Sequence, residues 1–262
     1  MESVVLFRNL LGEENQEIAE CSCIFSTYHN RAEIPKGSLV IPRYSALPFY
    51  LEMEKDIEML GSQLINSYRN FKWIANFEYY DVLKEYTFIT YFDPVNLPDN
   101  KSFIVKGKTN SRKHNWNSHC FAKNKKDAIQ IYCELKNDGL IGSQDIIFRE
   151  YEPLVQFEVL ANGLPVCNEF RFFFYKNVEL CHGYYWANAE YPEKGKLDDK
   201  AFELVDKVSN IVAEFNNFFV IDIAQKANGE WIVVELNSGE MSGLSLCSAS
   251  NLYSNLAKHL CL

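Results

Sequence analysis

Between Phe218 and Gly243 the chain reads FFVIDIAQKANGEWIVVELNSGEMSG, with Asn228-Gly229 centred between two β-rich runs. That dipeptide is the preferred turn of a tight antiparallel hairpin, and a two-residue turn fixes the register. With Ala227 facing Glu230, partner numbers keep a constant sum, so Lys226 faces Trp231, Ala224 faces Val233 and Asp222 faces Glu235. Side chains alternate along a strand, so Asn237 joins the face of the two carboxylates, while Phe219, Ile221, Ile223, Ile232, Val234 and Leu236 share the face that can bury. Directly opposed like charges weaken a sheet. Asp222, Glu235 and Asn237 therefore read as an oxygen-only ligand set for a hard cation such as Mg²⁺, completed by substrate phosphates. Solvent screening on an exposed face is the bland alternative, and a register slip would expose the whole apolar face.

The 262-residue chain can support such a hairpin, because 47% of it is hydrophobic and 15% aromatic. That composition excludes long disordered tracts. A formal charge of −9 argues against general nucleic-acid coating, and it makes the stretch from Lys101 to Lys126, with eight Lys and Arg residues, a local anomaly. The eight cysteines show no zinc-knuckle spacing, since Cys21 and Cys23 are separated by one residue. They read as reduced thiols of a cytoplasmic protein. No window is apolar enough to span a membrane, and MESVVLFRNLLGEENQ lacks a basic leader.

Short apolar runs at Val4–Phe7, Ser22–Phe25 and Leu39–Ile41 predict strands, followed by helical spacing over Leu47–Ile65. A helix around Tyr79–Lys84 and the polar stretch FDPVNLPDNKS then separate this small α/β unit from the rest. Beyond it come a strand at Phe103–Val105, a loop at Gly107–Ser118, a helix at Lys125–Asn137, and strands at Asp145–Arg149, Val155–Leu160, Glu169–Tyr175 and Val178–Tyr185. An apolar stripe over Asp198–Asn216 predicts a helix before the hairpin.

The acidic residue followed by Glu-x-Asn on the last strands resembles the ATP-grasp superfamily, and Asp222, Glu235 and Asn237 match that pattern. VIPRYSALPFY, FIVKGKTNSRKHNW and IIFREYEPL look more narrowly like its clade named for two arginines and a lysine. That clade is found in phages and bacteria and has a distant eukaryotic relative that assembles a translation initiation factor. The resemblance implies an α/β (α+β) ATP-grasp fold, with two α/β subdomains sandwiching the nucleotide. It also implies a small N-terminal α/β domain at 1–75 and an ATP-grasp domain at 76–262, with the lid at about 100–150 and the C-terminal subdomain at about 151–262.

On that resemblance Lys106 reaches the nucleotide phosphates, and the lid loop Gly107–Ser118 covers them with Lys108, Arg112 and Lys113. Glu150 and Tyr151 form the adenine hinge, and the ribose falls to Glu152 or Glu158. An upstream ATP lysine is Lys84 in preference to Lys72, and Arg43 contributes to substrate binding. Arg171 lies on the strand face opposite Phe170, Phe172 and Phe174, and matches the family arginine that meets the γ-phosphate and the acyl-phosphate. The activity implied is an ATP- and Mg²⁺-dependent carboxylate–amine ligase acting through an acyl-phosphate, with protein tails, peptides and nucleobases all open as its substrates. The other reading is a nucleotide-dependent assembly factor without turnover. The reading of the cysteines as reduced thiols places the chain in a cytoplasm, that of the host if phage-encoded.

Overall fold

Four sheets, eight α-helices and their connections make up the computed structural model, which describes residues 1–8, 15–187, 189–190 and 192–260. Strands β1 (Ser3–Phe7), β2 (Ser26–Tyr28), β3 (Leu39–Arg43) and β4 (Gln63–Leu64) form a parallel sheet in the order β2-β1-β3-β4. All five residues of β1 are buried, as a parallel strand covered on both faces requires. Helices α1 (Asn15–Ser22), α2 (Tyr50–Met59) and α3 (Tyr68–Ala75) accompany it, the last entered through a Ser67/Asn70 capping box.

Two sequence expectations change here. The apolar run Ser22–Phe25 is no strand: Cys21 and Phe25 bury one helical turn apart, and β2 starts only at Ser26. The helix expected over Leu47–Ile65 stops at Met59, because Gly61 takes φ +67° just past the end and turns the chain into β4.

After the short helix α4 (Tyr80–Leu83), strands β5 (Thr90–Tyr91), β6 (Phe103–Gly107), β7 (Phe121–Ala122) and β8 (Ile146–Glu150) build an antiparallel sheet in the order β5-β8-β6-β7. Helix α5 (Trp116–His119) precedes β7, and α6 (Lys125–Lys136) packs Ala128, Ile131 and Leu135 against Phe103, Val105 and Phe148. A two-stranded ribbon, β9 (Gln156–Val159) and β10 (Pro165–Cys167), follows.

The last sheet holds β11 (Glu169–Tyr175), β12 (Val178–Tyr184), β13 (Phe218–Gln225) and β14 (Trp231–Ser238), antiparallel in the order β12-β11-β13-β14. Both of its faces bury. Helix α7 (Asp199–Val212) packs Val205, Val208 and Val212 with Phe172, Phe174, Phe219 and Ile221. Helix α8 (Ala249–His259), capped by Ser248, packs Leu252, Tyr253 and Leu256 with Phe173, Phe218 and Val220 on the other face. That second face is apolar only at one end; farther along it carries Glu169, Arg171 and Asp222.

The hairpin reaches the expected carboxylate pair by another route. Its turn has three residues: Lys226 N–H donates to Glu230 O at 2.7 Å, Gly229 N–H donates to Lys226 O at 2.8 Å, and Gly229 sits at φ +87°. Gln225 therefore faces Trp231, Ala224 faces Ile232 and Ile223 faces Val233, each one residue off the register of a two-residue turn. A β-bulge at Val234 then takes up the offset and restores Asp222 opposite Glu235. It also moves Trp231 and Val233 into the core, while Val234 lines the cleft.

Candidate functional site

A cleft lies between the β5-β8-β6-β7 sheet and the last sheet, lined by side chains of both. Strand β6 brings Lys106 to it, β8 brings Arg149, the loop after β6 brings Lys113, β11 brings Glu169, and β14 brings Glu235. Arg171 and Asp222 adjoin on the same face. Four cations thus meet Glu169, Asp222 and Glu235 here, with Glu150 and Glu152 also on the lining, in a chain that is acidic as a whole.

Arg171 alternates with three phenylalanines, so its guanidinium stays on the polar end of the β11 face. It donates from Nε and Nη2 to both Asp222 oxygens at 2.8 Å, and from Nη1 to Gly243 O at 2.7 Å. Burial opposes its charge, but Asp222 outweighs burial and raises its pKa. Asn237 Nδ2 donates to Asp222 Oδ2 at 3.3 Å. Lys106 Nζ forms a close ion pair with Glu235 Oε1. Burial pushes the Glu235 carboxyl up, yet Lys106 and Lys113 overcome it and hold it at about 2.

The opposed carboxylates are therefore neutralised by the protein's own cations, one each, and not by a metal alone. Among the described residues no group of three His, Cys, Asp or Glu side chains is placed to hold a metal. With the Asn237 carboxamide included, the donor set still fits a hard dication, because it offers oxygens only and Glu235 is ionised.

The lid cations divide. Lys108 turns to Asp145 at 2.9 Å and to the Phe92 ring at 6.0 Å, outside the cleft lining. Arg112 is held by both oxygens of Asp138 at 2.7 and 2.6 Å. Lys113 alone of the three points inward, with Nζ 3.2 Å from Tyr185 Oη. The upstream lysine is also misplaced: Lys84 is exposed beyond α4 and Lys72 lies over the Tyr68 ring, neither lining the cleft.

The cation that sequence reasoning missed is Arg149, the one charged residue inside IIFRE before its final Glu. It donates to Val234 O and to Thr87 Oγ1, the latter at 2.5 Å, and lies 4.8 Å over the Phe88 ring, while its buried Nε has no partner among the described residues. An arginine in a fully buried strand was the available signal.

At the hinge the Glu150 side chain is taken by Tyr91 Oη and Lys101 Nζ, both at 2.7 Å. The N–H groups of Glu150 and Tyr151 donate to Ile89 O and Ser102 O, so they are not free for a ligand. Tyr151 packs edge-on against Phe121. Glu152 lines the cleft 3.7 Å from Lys226, whereas Glu158 accepts from Glu190 N–H outside the lining. The orphan carboxylate is Glu169: it is 4% exposed, its Oε1 has no hydrogen-bond partner among the described residues, and burial, against the pull of Lys113, raises its pKa to about 7. Its spacing two before Arg171 already put it on this face. Arg43, expected at the substrate, is instead committed to Glu17 at 2.8 Å and to Gly239 O. Seven cysteines are free thiols, and Cys261 lies outside the described residues.

Solved structures similar to this one cover nearly its full length. "D-cycloserine synthetase DcsG" aligns with TM-score 0.63 at 13% identity over 98% of this chain and 99% of that one. D-alanine–D-alanine ligase from Bacillus anthracis, complexed with ATP, aligns with TM-score 0.58 at 12% identity over 98% and 96%. ATP-grasp ligase PsnB, complexed with a phosphomimetic variant of its minimal precursor, Mg and ADP, aligns with TM-score 0.57 at 12% identity over 99% of both chains. No curated protein matches. At these identities the likeness is one of fold. Residues 96–256, more than half the sequence, match the model of the ATP-grasp domain of family 3 in the clade named for two arginines and a lysine, and the chain belongs to that family.

Proposed function

We propose that the protein is an ATP- and Mg²⁺-dependent carboxylate–amine ligase. The observation that carries this is the convergence of Lys106, Lys113, Arg149 and Arg171 on one cleft that ends at Asp222, Glu235 and Asn237. Such a cluster suits a triphosphate, and the similar solved structures include ligases that hold ATP, or Mg and ADP.

In this reading the adenine lies at the Glu150–Leu154 hinge, where the N–H groups of Glu152 and Leu154 make no hydrogen bond among the described residues. Glu169, about 7 Å along β11 from Arg171 on the hinge side, takes a ribose hydroxyl on its unpartnered Oε1, a role the sequence had left to Glu152 or Glu158. Lys106 and Lys113 bind phosphate oxygens. Glu235 and Asn237, with Asp222 beside them, would hold Mg²⁺, which when bound screens the phosphates and polarises the terminal one.

The reaction balances simply. A substrate carboxylate oxygen attacks the γ-phosphorus and ADP leaves; an amine then attacks the acyl carbon, loses a proton, and phosphate leaves with the C–O bonding pair. Arg171 faces the charge that develops on the transferred group. The protein's contribution is position and charge.

Calorimetry of ATP binding with and without Mg²⁺, on wild type and on the Asp222→Asn, Glu235→Gln double variant, tests the reading. Metal-dependent binding is expected in wild type and lost in the variant. Absence of binding in wild type refutes it, and ATP binding without ADP release in the presence of carboxylate and amine pairs would favour the assembly-factor reading.

A further inference from the structure

Where β12 ends, the chain leaves the sheet through Tyr185 and Trp186. Tyr185 N–H donates to Glu169 O at 3.0 Å, which ties its main chain to β11. Its ring meets Trp186 edge-on, with centroids 5.3 Å apart. Two cations from opposite walls of the cleft rest against that one ring. The Arg171 guanidinium carbon is 4.8 Å from its centroid, and Lys113 Nζ is 4.9 Å from the same centroid.

The two cations differ in what else holds them. Arg171 spends Nε, Nη1 and Nη2 on Asp222 and Gly243 O, so Tyr185 contacts a guanidinium already oriented by its edge. Among the described residues Lys113 has no carboxylate at ion-pair distance; the Tyr185 hydroxyl and ring, with Trp186 at 5.9 Å, are its partners. An ammonium that Glu235 and Glu169 reach only through space, with no carboxylate paired to it among the described residues, can still take an incoming anion. An aromatic face attracts cations without neutralising them, so both positive charges remain available.

We propose that Tyr185 is a positioning residue, seating Lys113 of the lid and Arg171 of the last sheet on one ring so that both cations converge on a single tetrahedral oxyanion, the terminal phosphoryl group of the nucleotide. The proposal rests on the nucleotide reading above. It makes Tyr185 act through two other side chains, and its consequence is selective: contacts to a third phosphate should depend on the ring, whereas contacts to adenine, ribose and the first two phosphates should not.

The test is calorimetry of the full chain with Mg²⁺ and either ADP or a non-hydrolysable ATP analogue, for wild type, Tyr185→Phe and Tyr185→Leu. Tyr185→Leu is expected to weaken the analogue about tenfold more than ADP. Tyr185→Phe, which keeps the ring, is expected to restore most of that difference. ADP affinity serves as the check that each variant is folded. Equal losses for the two nucleotides overturn the proposal, as does a Phe variant as damaged as Leu. Wild type binding neither nucleotide overturns the nucleotide reading itself.

Discussion

Replacing Asp222 with Asn removes one charge from a buried bidentate pair while keeping its shape. The Asp222 side chain is 1% exposed and that of Arg171 10%, so solvent cannot stand in for the lost charge. Breaking a buried pair from one side costs about 3–5 kcal/mol, because the partner is left charged and uncompensated. Asn keeps one oxygen for Nε, so the lower end, about 3 kcal/mol, is expected. For a chain of this size that is a fall in melting temperature of about 6–12 °C. Arg171→Met should cost a similar amount, leaving Asp222 with the Asn237 amide as its remaining donor. The double variant Arg171→Met, Asp222→Asn keeps neither charge of the pair and should lose less than the sum of the two single losses. Thermal unfolding followed by circular dichroism reads all four proteins. Losses that simply add, or an Asp222→Asn shift below about 2 °C, would refute the claim that these charges depend on each other.

Two further outcomes follow from the placement of individual charges. Lys108→Ala should leave ATP affinity within about twofold of wild type, since that side chain is held by Asp145, whereas Lys113→Ala should weaken it at least tenfold; equal effects would contradict the division of the lid cations. Glu169 holds its proton to about pH 7 when folded but gives it up near 4.5 when unfolded, so the unfolded chain binds fewer protons in that window and stability falls as pH rises from about 4.5 to 7, then levels off. Glu169→Gln removes this slope and should be more stable than wild type at pH 8 by up to about 3 kcal/mol; denaturant melts at pH 5 and pH 8 that keep the wild-type slope would falsify it.

Side-chain alternation made much of the site legible before any coordinates. It placed Arg171 on the polar face of β11, because burying one face of a strand fixes the other, whereas Asp222 across from Glu235 was expected from a two-residue turn that the hairpin lacks and is restored by the bulge at Val234. What alternation cannot convey is where a loop sends its side chains. Lys108 and Lys113 look equivalent in GKTNSRKHN, and only Asp145 and Tyr185, distant in sequence, separate them. Arg149 was hidden for a related reason: its partners, Thr87 and Val234, come from a connection and a bulge that propensity does not mark. Helix α1 escaped because it is short, with Cys21 as its buried apolar position, whereas α8, with Leu252, Tyr253, Leu256 and Ala257 at helical spacing, carried a signal that was not read.

The bulge at Val234 has a consequence for how the two walls of the cleft are joined. Deleting Val234 would leave every other pairing of β13 with β14 possible, including Ile223 with Val233 and Asp222 with Glu235. The residue is surplus to the ladder, and its carbonyl is the one Arg149 reaches from β8. A main-chain oxygen offers this rivet between lid and floor whatever side chain stands at 234. Substituting residue 234 should therefore leave the walls joined, whereas removing it should loosen the lid while the carboxylates stay in register.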